Sequence, residues 1–571
     1  MHPLTAFQQD VERLLDAAWP SEAPRPALEV PPGDGMGELG VPCFPLAKVL
    51  RKAPPAIAAE LADAMDASGW VREVRAVGPY VNFFLDEARL ASDVLGDLDA
   101  ALEPAAKPGR LLLEHTSANP NGPLHVGRAR NPILGDTLGR ILKASGHEVE
   151  TQYYMDNLGR QVAMLWKGTQ DFTEADLEPA ARDKPDHDLV RYYQACNARK
   201  EADPAYAEEI KELVARLETA DADLLASVRE AYEACFGGMR ASLERLGVTY
   251  DSIKDESDLV AGGDVDETIE RLKQSPRAGQ EDDGANYLDL SAELEGNKST
   301  KFFFTRKDQT SVYATRDVAY HKWKAEQVAP DGKLLNVLGE DHRLQSLQVS
   351  IALEELGHPR PEVVFYAFVG LPDGKMSTRA NRVVFLDDLL DEAHALAAEA
   401  VRARRGDELD DAELDAIAEA VGVAAIRYNI AKVQPEKPIQ FRWEEALDFD
   451  GDSAPYLMYA HARAASLLQK AAEDGLEAHL GPLGPGEARL AKVIARYVPE
   501  IEEAASRRAP HRFCAYATQL AGAFNEYYRD HPVLSCDDPQ IAASRLAVVA
   551  AAKATLARAL DALGIPALER M

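Results

Sequence analysis

The sequence has few cysteines, and no two of them are close together. The five are Cys43, Cys196, Cys235, Cys514 and Cys536, and none belongs to a CxxC pair. This spacing argues against a zinc site, a redox dithiol or a disulfide framework. We therefore predict buried, inert thiols and no protein-bound zinc.

Long apolar runs are also missing. No stretch offers the roughly 18 consecutive apolar residues that a membrane-spanning helix needs. The most apolar late segment, residues 546–563, is interrupted by Lys553, Arg558 and Asp561, which predicts a packed helix. The first residues lack the basic start and apolar core of a signal peptide. These features predict a soluble cytoplasmic protein with no membrane partner.

Positive charge is scarce. The chain carries 63 Lys and Arg against 95 Asp and Glu, a net charge of −32, and arginine makes up roughly two thirds of its basic residues. Nucleic-acid binders are usually basic, so one interpretation is that no nucleic acid is involved. The other is that acidity with little lysine adapts the surface to a salty medium, while local basic patches remain. We favour the second interpretation, because the motifs below are more specific than bulk charge.

The 571 residues are too many for one hydrophobic core, and the pattern predicts several domains. Residues 1–107 mix helical periodicity with one strand-like run at 80–85, which predicts an α+β domain. Residues 108–386 open with an apolar run at 111–114, a loop and helical spacing, the start of a nucleotide-binding α/β unit.

The rest of the chain is mostly helical. A charged, alanine-rich stretch at about 171–247 predicts a helical insertion, after which strand-like runs return at 301–304, 335–338 and 363–368. Residues 387–452 predict a helical connecting segment, and residues 453–571 an all-helical domain. The predicted fold class is thus α/β, with a Rossmann-like central domain between an α+β and a helical domain.

Two glycine-rich segments do not carry nucleotide chemistry. Residues 35–40 match GxGxxG but follow a proline-rich loop instead of a strand. Residues 370–375 resemble a P-loop that is one residue short, with Met376 where a magnesium-binding hydroxyl belongs. Both are rejected.

Two other motifs have the residues needed to bind a nucleoside triphosphate. His125, Gly127 and Arg128 belong to the segment HVGR between a strand-like run and a helix. A glycine there lets a nucleotide approach the backbone, and the helix start favours phosphate through free N–H groups and its dipole. The segment KMSTR at 375–379 carries Lys375, Ser377 and Arg379, groups that can clamp phosphates from a loop. Taken alone, each motif could equally be an exposed basic turn or loop with no role in binding.

Together and in this order, the motifs resemble the HxGH and KMSK signatures of class I aminoacyl-tRNA synthetases. The sequence departs from both forms. Arg128 replaces the second histidine, and Thr378 replaces the second lysine, with Arg379 beside it. Arginine still donates at position 128 but is longer, so its contacts there differ from those of histidine.

Neighbouring segments resemble the arginyl-tRNA synthetase family in its archaeal form. These are EHTSANPN at 114–121, YATRD at 313–317, GPYVNF at 78–83 and PYLMYAHAR at 455–463. The resemblance extends over nearly the whole chain, with FNEYY at 524–528 and the end at Met571 included. It implies a tRNA-contacting N-terminal domain and an anticodon-binding C-terminal helical domain.

The resemblance also implies an arginine site. A guanidinium is planar, permanently charged and offers five donors, so its site must supply carboxylates. Glu114 and Asp317 would be those carboxylates, and Tyr313 would contact the same group. Ser117 lies in the same signature. Asn119 and Gln345 would hold the α-amino and carboxylate end.

The implied reaction consumes ATP and loads arginine onto tRNA(Arg). His125, Arg128, Lys375 and Ser377 would be catalytic, acting on the triphosphate and its transition state. Gly127, Met376 and Arg379 would complete the ATP site, and magnesium would travel with the ATP phosphates. A monomer is the expected state.

The RNA would also need stacking partners for its anticodon bases. Tyr456, Tyr459, Tyr527 and Tyr528 are candidates, with ordinary helix packing as the alternative.

Three rival hypotheses remain at this point. A class I synthetase for another amino acid, such as cysteine, fits less well, because the zinc cysteines are missing and the YATRD segment is present. A catalytically silent, synthetase-like tRNA-binding protein would be compatible with Arg128. A small nucleotidylyltransferase shares the first motif but would not need a long C-terminal helical domain.

Overall fold

In a computed structural model, the described residues are 2–33, 35–219, 221–294, 300–370, 384–405 and 408–571. The N-terminal part is an α+β unit. Its elements are α1 (Pro3–Ala18), β1 (Leu39–Pro42), α2 (Leu46–Leu50), α3 (Pro54–Asp63), β2 (Val71–Val77), β3 (Tyr80–Leu85), α4 (Glu87–Gly96) and α5 (Leu98–Leu102). The strand predicted at 80–85 is confirmed as β3, the middle strand of an antiparallel sheet ordered β1-β3-β2. Its Val81, Phe83 and Leu85 are buried because they alternate onto the core side.

The next elements begin the α/β unit and continue into a group of helices. They are β4 (Arg110–Glu114), α6 (Arg130–Ala144), β5 (Glu148–Met155), α7 (Arg160–Asp171), α8 (Pro185–Ala202), α9 (Pro204–Glu218) and α10 (Ala222–Arg245). Helices α8 to α10 coincide with the predicted helical insertion. Proline at the first turn of α8 and α9 suits a helix start, where its missing N–H costs nothing.

The chain then returns to the sheet in two stages. The elements are β6 (Ser252–Asp255), α11 (Glu256–Ala261), α12 (Asp264–Lys273), β7 (Ala278–Gln280), β8 (Asn286–Asp289), β9 (Lys301–Phe303), α13 (Tyr313–Val328), β10 (Lys333–Gly339), α14 (Arg343–Glu355), β11 (Glu362–Tyr366) and β12 (Val369–Gly370). The strand expected at 301–304 is present as β9, but the prediction that it belongs to the α/β sheet was wrong. It closes a separate antiparallel sheet, β7-β8-β9.

The central sheet is parallel, with strand order β11-β10-β4-β5-β6. From β4 the chain first builds outward through β5 and β6, and later adds β10 and β11 on the other side. The strand order therefore reverses between β4 and β10. In open α/β sheets a crevice forms at the carboxyl ends of the strands at such a point.

The C-terminal part is helical apart from one two-residue strand. Its elements are α15 (Leu386–Arg405), α16 (Asp411–Ala431), β13 (Ile439–Gln440), α17 (Trp443–Ala446), α18 (Ala454–Glu473), α19 (Pro485–Ala495), α20 (Tyr497–Ser506), α21 (Pro510–Asp530) and α22 (Pro539–Ala562). The helix predicted at 546–563 is confirmed as α22. One hydrophobic cluster contains Phe83, Leu113 and Leu556, so the N-terminal unit, the sheet and the C-terminal helices share a core.

Two sequence expectations concern cysteines and membranes. All five cysteines are free, and four are buried, but Cys536 is partly exposed, so the expectation of a fully buried set was wrong at that position. Burial raises the pKa of Cys43 to about 11 and that of Cys235 to about 12. Among the described residues, no helix has both the length and the apolarity needed to cross a membrane.

Candidate active site

A cleft of about 380 Å³ lies at the carboxyl ends of β4 and β10, where the strand order reverses. All six residues predicted to bind arginine line it, together with Arg128. They are Glu114, Ser117, Asn119, Tyr313, Asp317 and Gln345. These residues span more than 200 positions of the sequence, from Glu114 to Gln345, and the sheet topology brings them to one site.

The loop after β4 turns sharply back on the strand. Thr116 and Ser117 both have positive φ, 72° and 42°, a strained backbone for residues with a β carbon. The Thr116 N–H donates to Asn131 Oδ1 at 2.8 Å, which holds the turn. Ser117 Oγ then donates to Glu114 Oε1 at 3.0 Å and accepts the Tyr154 N–H at 3.1 Å. This backbone conformation directs the Ser117 hydroxyl toward the Glu114 carboxylate.

Glu114 is buried and already has a cationic partner. The Lys324 ammonium donates to Glu114 Oε2 at 2.7 Å, and the lysine side chain is fully buried. Burial by itself would raise the pKa of Glu114, but attraction by Lys324 lowers it below its ordinary value. Glu114 is therefore an ionised carboxylate with two of its acceptor positions occupied.

Asp317 and Tyr313 lie one turn apart on α13, so both face the cleft. Gln345 Nε2 donates to Asp317 Oδ2 at 2.7 Å. Burial, and then repulsion by Glu114, raises the pKa of Asp317 to about 7. Repulsion by Asp317 raises the pKa of Tyr313, so its phenol keeps its proton and can donate. In the cleft without a ligand, Asp317 is therefore partly protonated near pH 7, and it can ionise when a cation binds beside it.

Sequence reasoning missed a third carboxyl in the cleft, Asp156. It follows β5 directly, and its Oδ1 is buried with no hydrogen-bond partner among the residues that the structure describes. Nearby Glu256 is paired with the buried Arg316, whose Nε donates to it at 2.9 Å. The available signal was position, because polar residues at the carboxyl end of a parallel strand commonly face a ligand.

The backbone N–H groups of the turn that follows His125 already have hydrogen-bond partners within the protein. The N–H groups at 126–128 are all paired: Val126 donates to Val384 O at 3.0 Å, Gly127 to His125 Nδ1 at 3.0 Å, and Arg128 to His125 O at 2.9 Å. The N–H groups of this turn are therefore not free to bind phosphate, since the turn is a short 3-10 helix that pairs with the chain at 384–386; the free N–H groups were expected at the start of the helix that follows, α6. The exposed side chains of His125 and Arg128 remain available as donors.

The second motif lies outside the described residues, so Lys375, Met376, Ser377, Thr378 and Arg379 have no structural account. The described chain resumes at Val384, directly beside the first motif. The Leu386 N–H donates to Leu124 O at 2.7 Å.

Within the part of the chain that the structure describes, one group of residues has the composition of a metal site. Asp186, His187 and Asp387 converge between the helical insertion and α15. The ammonium of Lys184 lies between the two carboxylates, 2.9 Å from Asp387 Oδ2 and 3.2 Å from Asp186 Oδ2. The lysine supplies the positive charge that a metal ion would bring, so these residues do not fit a resident magnesium.

The candidate stacking tyrosines separate into two kinds. Tyr527 is buried, and its hydroxyl donates to Glu487 at 3.0 Å, so it is a packing residue. Tyr528 is 40% exposed, and the guanidinium of Arg463 lies 5.1 Å from its ring centre and 4.6 Å from that of Tyr459. Tyr456 packs against the core.

Comparison with protein families matches the three parts of the chain in order. Residues 5–85 match the arginyl tRNA synthetase N-terminal domain, residues 97–443 the catalytic domain of class I tRNA synthetases (R), and residues 457–571 the DALR anticodon-binding domain. The chain belongs to the arginyl-tRNA synthetase family. The predicted family and fold class of this synthetase are confirmed.

Relatives match this synthetase over nearly its whole length. The arginine–tRNA ligase of Methanocella arvoryzae is 42% identical over 531 residues, 92% of each chain. That of Halorubrum lacusprofundi is 40% identical over 583 residues, 95% of each chain. The solved Thermus thermophilus arginyl-tRNA synthetase is 31% identical with a TM-score of 0.81, covering 99% of this chain and 100% of that one. The Plasmodium falciparum enzyme, at 16% identity, shares the fold with a TM-score of 0.76.

Proposed function

We propose that this synthetase is an arginine–tRNA ligase. An arginine carboxylate oxygen bonds to the α-phosphorus of ATP as pyrophosphate leaves. A ribose hydroxyl at the 3′ end of tRNA(Arg) then attacks the arginyl carbonyl as AMP leaves. The observation that carries the proposal is the convergence of all six predicted arginine-binding residues, Glu114 and Asp317 among them, in one cleft with a further carboxyl, Asp156. The class uses ATP as substrate.

The carboxyl groups would recognise the guanidinium. Asp317 would ionise and pair with it, Tyr313 would cover it at the mouth of the cleft, and Glu114 would accept through its remaining lone pairs. Asp156 is a further acceptor close by. Neutral analogues would leave these buried acceptors unpaired, which costs more than the loss of a simple contact.

The other end of arginine would lie toward the loop after β4. Gln345 Nε2 is engaged with Asp317, which leaves its Oε1 as an acceptor for the α-ammonium. Asn119, in the loop after β4, also lines the cleft and would hold the same end. One glutamine would thus fix the distance between the two charged ends of the substrate.

The chemical step needs no protein nucleophile, because positioning and charge stabilisation suffice. His125 and Arg128 would donate to the triphosphate, and Gly127 would let the adenosine approach. Lys375 would stabilise departing pyrophosphate, supported by Met376, Ser377 and Arg379. Magnesium would be carried mainly by the phosphates, since the acidic groups described above are engaged or face arginine.

The RNA would contact the domains that flank the catalytic centre. We propose domains at 1–107, 108–386, 387–452 and 453–571, with the first and last contacting tRNA. Tyr528 and Tyr459, with Arg463 between them, would stack on anticodon bases. We further propose a cytoplasmic monomer.

The direct test is to charge total tRNA with each of the twenty labelled amino acids, in high potassium chloride and in low salt. Charging with arginine alone supports the proposal. Charging with another amino acid would contradict the roles given to Glu114 and Asp317. Because Arg128 departs from the usual motif, a second candidate is a silent tRNA-binding protein, which would bind tRNA without charging it or exchanging pyrophosphate into ATP.

A further inference from the structure

Lys324, on α13, is a fully buried cation that does not itself line the arginine cleft but pairs with Glu114, which does. Its Nζ lies 2.7 Å from Glu114 Oε2 and 2.9 Å from Asn336 Oδ1. The ring of Tyr320 covers it, with the centroid 4.4 Å away. Glu114 and Asn336 are register partners on the adjacent strands β4 and β10. The ammonium therefore bridges two strands at the point where the strand order reverses.

The contacts continue from Lys324 back to the substrate side of α13. Asn336 Nδ2 donates to His321 Nε2 at 2.6 Å, and His321 Nδ1 donates to the Asp317 carbonyl at 2.7 Å. Burial lowers the pKa of His321 to about 4, so the ring is neutral and holds this pattern of one donor and one acceptor. A continuous polar chain thus links Glu114, through Lys324, to the backbone of Asp317.

We propose that Lys324 is a positioning residue for arginine recognition: its ammonium fixes the Glu114 carboxylate in place and keeps it charged, so that Asp317 alone changes its protonation when arginine binds. The inference rests on the proposed function. It gives this lysine a role distinct from those of the groups that touch arginine. A buried carboxylate without such a partner would take up a proton instead of facing the guanidinium as an anion.

The charges around the pair make this role measurable. From α13, Asp317 and the neutral His321 face the pair itself. Arg316 on α13 and Asp156 after β5 act on Asp317, as does Glu256 on α11. Burial, and then repulsion by Asp156, raises the pKa of Glu256 well above its ordinary value, so this carboxyl keeps its proton although Arg316 contacts it. If the ammonium is removed, Glu114 and Asp317 become two buried carboxyls that share a proton, and that proton leaves at higher pH. Arginine binding must then displace it.

The experiment is arginine KM and kcat for full-length enzyme with saturating tRNA(Arg) and ATP, from pH 6 to pH 9. We expect Lys324→Met to raise KM at pH 7 about tenfold or more, and to move the midpoint of the KM profile upward by about one pH unit or more. We expect Lys324→Arg to restore the midpoint, because it keeps the charge. An unchanged midpoint in Lys324→Met would overturn the proposal.

The matched control is Lys322→Met, two residues away on the same helix. That lysine is also buried and paired, with Glu267 at 3.1 Å and Glu326 at 3.2 Å, but neither of these partners lines the cleft, whereas Glu114 does. We expect it to change thermal stability without moving the arginine midpoint. An equal shift in both variants would reduce Lys324 to a structural role.

Two further measurements complete the test. Glu114→Gln/Lys324→Met removes both buried charges and covers the case in which Lys324→Met does not fold. If Lys324 acts through Glu114, this double variant has the same arginine KM as Glu114→Gln, and a larger KM would overturn the inference. Calorimetric titration with arginine keeps failure of the inference separate from failure of the proposed function, because a wild-type enzyme that binds no arginine contradicts the function itself.

Discussion

Arg427 and Asp136 form a fully buried ion pair between α16 and α6. The same guanidinium donates to Leu246 O at 3.0 Å and to Leu563 O at 3.2 Å. One side chain therefore joins the helix behind the nucleotide motif, the connecting helices, the end of the helical insertion and the end of α22.

We expect Arg427→Met to destabilise the protein by about 3 kcal/mol, because removing one member of a buried pair leaves the other charge without full compensation. Arg140 still donates to Asp136 at 2.8 Å and limits the loss. Thermal or denaturant unfolding measures it. The control is Arg442→Met in an exposed pair with Glu445, where we expect about 0–1 kcal/mol. Equal losses in the two variants would show that the junction contributes little.

Arginine affinity should rise with pH. The pKa of Asp317 is raised to about 7, so at pH 6 the group is mostly protonated and must lose a proton to pair with the guanidinium. Below pH 7 we expect the arginine KM to increase about tenfold per pH unit, and above pH 8 to level off. Steady-state charging across this range measures the profile.

Asp317→Asn tests the assignment of that profile. We expect the arginine KM to rise by about 10-fold to 150-fold, with a flat pH profile, because a charge-assisted hydrogen bond is lost. Asp99→Asn, in an exposed pair with Arg558, should change neither quantity. A pH profile that survives in Asp317→Asn would assign it to another group.

Arg128 should act on the chemical step. We expect Arg128→Ala to lower the rate of arginine activation by about 10²–10³ with little change in arginine KM, because its donor would matter mainly as charge develops. ATP–pyrophosphate exchange with tRNA present measures this. Arg128→His should recover part of the rate, whereas Arg240→Ala, exposed on α10, should have none of these effects. A raised arginine KM with an unchanged rate would instead place Arg128 in substrate binding.

Tyr528 should contribute to tRNA binding and not to arginine binding. We expect Tyr528→Ala to raise the KM for tRNA(Arg) by about 5-fold to 150-fold, since stacking on one base contributes about 1–3 kcal/mol. Tyr192→Ala, on the helical insertion, is the matched control. An unchanged tRNA KM in Tyr528→Ala would leave ordinary helix packing as the role of this residue.

Stability should increase with salt. With a net charge of −32, the acidic groups repel one another in dilute buffer, and added potassium chloride screens this repulsion. We expect the melting temperature to rise steadily from low to molar potassium chloride. A melting temperature that falls across this range would contradict salt adaptation as the reason for the acidity.

Local pattern in the sequence was enough to predict much of the fold. The alternation at 80–85 and the helical spacing from Ile133 to Leu142 depend on neighbours in the chain, and β3 and α6 confirm them. These relations survive without knowledge of what packs against them, because periods of two and 3.6 residues are properties of strand and helix.

Only the tertiary structure decided which distant groups meet. It placed β9 in a separate sheet, paired the Val126 N–H with Val384 O, and put Lys324 on Glu114, 210 residues away. The charge state of Asp317 also depends on this packing, because burial and the nearby Glu114 raise its pKa together. The sequence by itself determined the family and many of the elements, and it predicted six residues that line the cleft. Their pairing and protonation came from the packing of non-adjacent strands and helices, which local periodicity does not encode.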